Sequence, residues 1–470
     1  MAGSRQIEAQ RRDPGRVILR RPLPGALLQR SERNVAAIPV AGLADASGEQ
    51  VSFRVLSPWR RRPKWQPLCV VKDGEFVGET PRLPTGGPYT VEVRVGKARA
   101  CAEDLYVGDL FILAGQSNMD GCGKLVDCER PSPMVRCFYY DDRWGVAEDP
   151  LCRYNEAADP VHWGLDVTEQ NREQWAQFDR DFRVAGAGLG VRFGKEIHRR
   201  HGVPVGLLAC SHGGTSMDQW SPDLAHLGGR SLYGSLLRRV KAVGGKVAGC
   251  LWYQGESDAN AEAAPVFRER LAKLIRSIRR DLGQPELPFL QVQLGPFYGE
   301  PADAFPEWNR VQAEQIAVES DLPNVATVAA IDLELSDAIH VGTAGQKTIG
   351  VRLAHLASRF VYGDATRQVG PRFTAATVSG DRKRVEVRFA SVNGALMPRA
   401  GFPGFSLEAD GQAIPIPERK LKDACIVVLN LRERLPEGAV LWHGRGLNPA
   451  VGLRDRAGLP VPVFGPVELG

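Results

Sequence analysis

Short runs in which apolar and polar residues alternate, VSFRVL and YTVEVRV among them, open the chain and are cut off by Gly, Pro and Asp. A period of two is that of a half-buried strand. It predicts a β-rich, sandwich-like unit over residues 16–103, after an N-terminal extension of residues 1–15. From residue 104 the pattern changes. Wholly apolar runs, DLFILAG, VPVGLLAC, VAGCLWYQ, LPFLQVQL and VATVAAI, now recur between longer segments of helical period. Leu189, Phe193 and Ile197 lie four apart, and Phe267, Leu271, Leu274 and Ile278 share one face. Strands without a polar face, alternating with helices, predict an α/β domain with a parallel sheet covered on both sides over residues 104–364. Beyond it the helical period stops, KRVEVRFA, FSLEA and ACIVVLNL return, and residues 365–470 are expected to form a second β-rich unit.

Composition narrows this picture only a little. The chain of 470 residues is too long for one ordinary core of roughly 100 to 200 residues. Its formal charge of +5 is small and mixed along the sequence, which does not argue for nucleic acid. No apolar run approaches the roughly 20 residues of a bilayer-spanning helix, so no membrane insertion is expected. The first residues carry arginines without the continuous apolar stretch of a secretory signal, and nine cysteines make no CxxC pair. A reduced, cytoplasmic setting is the simpler expectation. Cys122, Cys128, Cys137 and Cys152 crowd together, and separate thiols, a disulfide or a metal site remain open for them.

In an α/β domain of this kind the chemistry lies in loops at the carboxyl ends of the strands. DLFILAG runs straight into Gln116-Ser117-Asn118-Met119. A serine at such a corner can be a nucleophile, and its own N–H can help bind an oxyanion. Because Met119 stands where GxSxG needs its second glycine, the α/β-hydrolase elbow is disfavoured. Late in the domain, Asp337 and His340 are three apart, a spacing at which a carboxylate can orient an imidazole toward a serine elsewhere in the fold. Two more loops follow apolar runs. Gly213 and Gly214 can present a backbone N–H, and Gln254 offers a neutral amide donor. Taken singly, each has an ordinary reading as a turn, a cap or a satisfied polar group.

The order GQSNM, GGT, WYQGES and a late DxxH resembles the SGNH hydrolase superfamily, in particular carbohydrate esterases of the sialate O-acetylesterase and acetylxylan esterase type. The resemblance implies a three-layer αβα, flavodoxin-like domain with β-rich flanks. It also implies a serine esterase that removes O-acetyl groups from a carbohydrate through an acetyl-enzyme, without metal or other cofactor. Residue by residue it makes Ser117 the nucleophile, His340 the base and Asp337 its orienting partner. The oxyanion donors are then Ser117, Gly213 or the adjacent Gly214, and Gln254, with Gln116 and Glu256 in support. The superfamily carries an asparagine where this chain offers Gln254 and Glu256.

Two further readings remain. Glu256 and Asp258 suggest a glycosidase pair, against a supporting role for Glu256 and a helix cap for Asp258; a non-catalytic carbohydrate-binding protein on the same scaffold is the other alternative. Trp144, Trp163 and Trp175, in an insertion between Asp120 and Gly186, and Trp220 are candidates for a sugar-contacting wall, the alternative for the three in the insertion being that they pack it onto the core. Side chains near Met119 and Trp252 are expected to close the acyl pocket.

Overall fold

The structure, a computed structural model, describes residues 16–45, 47–59, 62–164, 166–299, 306–399 and 401–470. The expected extension of residues 1–15 lies outside the described residues. The chain is a mixed α/β protein built on one large mixed sheet, with further β-rich regions on either side in sequence. In the sheet's central path the strands run Trp144–Val146, Val135–Phe138, Val205–Ala209, Ala98–Gly115, Gly249–Tyr253, Phe289–Gln293 and Val325–Ala329. All pair in parallel except Trp144–Val146, which is antiparallel to its neighbour. The strands read as apolar throughout are those buried along their whole length.

Helices α1 (Ser117–Asp120), α2 (Arg172–Phe182), α3 (Gly190–His201), α4 (Leu232–Ala242), α5 (Phe267–Asp281), α6 (Pro306–Asp321) and α7 (Thr343–Phe360) occupy the connections and the following turns. The apolar periods predict what two of them bury: α3 covers Phe193 and Ile197, and α5 covers Phe267, Leu271, Leu274 and Ile278. The Phe193 ring meets Phe111 of the central strand edge-on at 4.9 Å. Burying one such ring stabilises by roughly 1.5–3 kcal/mol. Pairwise packing of α3 on α7 and of α5 on α6 completes the main core.

The strand Ala98–Gly115 passes through the expected boundary near residue 103 without a break. Its first half pairs with Gly86–Val95 and Leu27–Gln29, and its second half with Val205–Ala209 and Gly249–Tyr253. At the crossing point buried Asp109 accepts from Gln29, Arg30 and Tyr362. The C-terminal residues form two four-stranded sheets around their own core. They are fastened to the main sheet by Gln293 on Val463, and to α6 by Asn309 on Gly446 and by the Arg372–Glu319 ion pair.

Candidate active site

Three strand ends are laced together under the site. Gln116 N–H donates to Tyr253 O at 2.9 Å and His212 N–H to Gly115 O at 3.0 Å. Gly115 has φ 137°, and a Cβ there would lie 2.1 Å from Tyr253 O, so only glycine lets the chain turn this close to the neighbouring strand. That turn lifts Ser117 to the start of α1.

The segment before α7 meets it from the other side. Asp337 Oδ1 accepts the N–H groups of Ile339 and His340 at 2.9 and 2.7 Å. Its Oδ2 lies 2.7 Å from His340 Nδ1, and His340 Nε2 lies 2.8 Å from Ser117 Oγ. With Nδ1–H on the carboxylate, Nε2 is left to accept from the serine hydroxyl. Burial pushes the Asp337 carboxyl up, but the bonds from Ile339 and His340 outweigh it and hold the group below the usual carboxylate range. The arrangement can therefore take a proton from Ser117 and stabilise the resulting imidazolium.

Asn118 fixes the two halves against each other. Its amide donates to Glu256 Oε1 at 2.7 Å and to Ile339 O at 3.2 Å, and its oxygen accepts Val341 N–H at 2.9 Å. Gln346 of α7 closes the set by donating to Asn118 O at 3.0 Å. Glu256, pushed up by burial and eased by Asn118, sits beneath the Ser117 turn together with Gln116.

On the far side of Ser117 a second polar cluster is built from the insertion. Tyr154 OH donates to Asp120 Oδ2 and accepts Gly213 N–H at 2.7 Å. The Tyr154 ring stacks on His212, with centroids 4.4 Å apart, and His212 Nδ1 lies 3.3 Å from His162 Nδ1. Burial pushes Asp120 up to about 6 and His212 down to about 4, and holds His162 well below its ordinary value. Both imidazoles are thus neutral at pH 7, which is what lets their nitrogens share one proton at this distance.

Residues 107–359, more than half of the chain, match the family described as carbohydrate esterase, sialic acid-specific acetylesterase. The chain belongs to that family. This esterase is also 29% identical over 266 residues to a probable carbohydrate esterase of Arabidopsis thaliana, covering 52% of this chain and 88% of the relative. A solved carbohydrate acetylesterase from Xanthomonas citri superposes with a TM-score of 0.68 at 22% identity, over 94% of this chain and 97% of the other, which shows a shared fold. Family membership makes the protein a carboxylic ester hydrolase of the carbohydrate esterase kind.

Several expectations about the esterase need correction. Gln254 is fully buried, and its amide nitrogen is taken up by Thr215 O at 3.1 Å and Asp258 Oδ2 at 2.5 Å, which leaves it no hydrogen for an oxyanion. Gly213 N–H is spent on Tyr154. The N–H groups of Ser117 and Gly214 make no hydrogen bond among the described residues. Asp258 is not a helix cap; it accepts Met217 N–H and Gln254. Because Glu256 is instead bonded to Asn118, the two carboxylates do not face one cleft as an acid and a base.

The tryptophans separate in the same way. Trp220 is 0% exposed, donates to Thr215 Oγ1 and packs on Trp252, so it supports the glycine loop from below and contacts no substrate space. Trp144 packs against Phe138 and the N-terminal core, at the junction of the two units. Trp163 donates to Ala157 O and lies under Arg172, holding the insertion in shape. Trp175 alone is on the surface, 39% exposed beside Phe178. Met119 and Trp252 are both buried in the main core. The four crowded cysteines are separate thiols, Cys137 and Cys152 fully buried. Sequence reasoning missed Asn118, Asp120 and Tyr154. The first two lie inside the serine motif, but Tyr154 follows in the insertion with no motif around it.

Proposed function

We propose that this chain is a serine esterase that releases acetate from an O-acetylated carbohydrate through an acetyl-enzyme, on a layered SGNH-type domain. The observation that supports this best is the unbroken run from Ser117 Oγ to His340 Nε2 at 2.8 Å and from His340 Nδ1 to Asp337 Oδ2 at 2.7 Å. In this reading Ser117 Oγ attacks the acetyl carbonyl while His340 takes its proton. The C–O bond to the sugar then breaks, and His340 returns the proton to the leaving sugar oxygen. Water, giving a proton to His340, attacks the acetyl carbonyl; the bond to Ser117 Oγ breaks, His340 returns the proton to that oxygen, and acetate leaves. These steps call only on groups of the chain itself and on water.

The test is acetate release from acetylated xylan, acetylated xyloglucan fragments and O-acetylated sialic acids, with a chelator present throughout, together with mass spectrometry of acid-quenched enzyme. An acetyl group on Ser117 during turnover is expected. Activity that disappears with chelator and returns with zinc, or Ser117→Ala that keeps the wild-type rate, would overturn the reading. Binding of the glycans without any acetate release would favour the carbohydrate-binding alternative.

A further inference from the structure

The Tyr154 hydroxyl joins two parts of the site that are otherwise linked through the strand ends beneath them, where His212 N–H meets Gly115 O. One is α1, which begins at Ser117 and ends at Asp120; the other is the loop of Gly213 and Gly214. The hydroxyl donates to the carboxylate of the first and accepts the Gly213 N–H of the second. A Cβ placed on Gly213 would lie 3.3 Å from Asp120 Oδ2 and 3.6 Å from both Ser117 Cβ and Tyr154 Oη, so all four groups crowd around one point. Tyr154 itself is held firmly. Its ring stacks on His212 and meets Tyr140 edge-on, with centroids 5.9 Å apart, and Tyr140 OH donates to Ser211 O at 2.5 Å. Its backbone turn is tied down by Ala157 N–H on Tyr154 O and by Arg183 on Cys152 O. Gly214 follows with φ 69°, and a Cβ there would meet nothing within 4 Å, so this end of the loop is open to solvent.

We propose that Tyr154 is a positioning residue for the ester hydrolysis read above. By capturing Gly213 N–H against Asp120 it sets the distance between the nucleophile turn and the glycine loop, and leaves the N–H groups of Ser117 and Gly214 as the backbone donors for the developing oxyanion. The inference rests on the serine-esterase reading. A bond held in place before the reaction starts spares the site any reorganisation as charge develops, and a brace of this kind acts on the transition state more than on the bound ester. Its loss is therefore felt in kcat.

Tyr154→Phe keeps the ring and both of its stacking partners and removes only the hydroxyl. With 4-nitrophenyl acetate, kcat is expected to fall about 10- to 100-fold while KM stays within about twofold. Affinity for methylboronic acid, which forms a tetrahedral adduct on the serine, should fall in step with kcat, and the thermal midpoint should move little. Asp120→Ala, which removes the acceptor, should lower kcat similarly, and the double variant should add little to either, because both act through one bond. Unchanged kcat in Tyr154→Phe overturns the proposal. A rise in kcat overturns it too, since the hydroxyl would then be blocking Gly213 N–H. If Tyr154→Phe does not fold, Asp120→Ala decides alone, and wild-type kcat there ends the idea. Ser117→Ala in the same assay separates the two failures: if it is inactive while Tyr154→Phe is normal, only the brace falls, and if it is active the esterase reading falls first.

Discussion

Two aspartates flank Ser117 and are treated in opposite ways by the fold. Asp337 is on the surface side, its side chain 52% exposed, and its two oxygens accept from two backbone N–H groups and an imidazole. Asp120 is enclosed, has Tyr154 on one oxygen and leaves the other without a partner among the described residues. The first is held below the usual carboxylate range and the second is pushed up to about 6. Exposure and charge go together here: burial is the larger influence on Asp120 and outweighs the bonds it accepts, whereas Asp337 is little enough buried that its bonds from Ile339 and His340 prevail.

The largest test of this contrast is at the triad. Ser117→Ala and His340→Ala should each cost on the order of 10⁴-fold or more in kcat, with the double variant hardly worse, and Asp337→Asn should leave more residual rate. Additive losses would mean that Ser117 and His340 do not act as one unit. Next is the pH dependence of stability. Between the ordinary value of 3.8 and about 6, folded Asp120 keeps a proton that the unfolded chain has released. Its contribution therefore falls as pH rises through that window and levels off above it, by roughly 3 kcal/mol in all. Asp337 contributes in the opposite sense, its stabilisation being present above 3.8 and lost as pH falls through its lowered value. Denaturant melts from pH 4 to 8 should show Asp120→Asn flattening the falling limb; an unchanged limb would break the comparison.

A smaller effect is expected where the two sides meet. Asn118→Ala unlatches Ile339 and Val341 from the nucleophile turn and should lower kcat about 10- to 100-fold, because misplacing the imidazole by a fraction of an ångström is enough. Stopped-flow assays should find the loss in acylation; a rate within twofold of wild type would show that Asp337 alone orients His340. The smallest change falls on Gln254→Ala. With its amide bound to Asp258 and Thr215, its removal should cost about 1–2 kcal/mol of stability by thermal melting. A loss of kcat beyond about 100-fold without destabilisation would restore it as an oxyanion donor.

Much of this was legible in the chain itself, and the reason differs by feature. Wholly apolar strands and four-residue helical repeats are properties of burial, so Phe193 and Phe267 were readable as core. Ser117, Asp337 and His340 could be named because their motifs demand particular residue types at fixed local spacing. Trp220 and Gln254 were misread for a shared reason. Each is polar or amphipathic, lies in or just before a loop that follows a strand, and could face either the cleft or its floor, a choice made by how the loops fold onto Thr215 and Asp258. Tyr154 was invisible because nothing local distinguishes it; only the fold brings it to Gly213, 59 residues away.

The continuous strand Ala98–Gly115 has a practical consequence for anyone trimming the molecule. Cutting near residue 103 to isolate the hydrolase would strip Leu105, Tyr106 and Val107 of the neighbours that now cover them, Tyr89, Gly86 and Leu27 among them. The new terminus would be a bare apolar ribbon with open amides, the kind of edge that recruits another copy and aggregates. The flanking unit thus works as a sheath for the strand that leads into Ser117, and a soluble short form would have to begin upstream of Leu27.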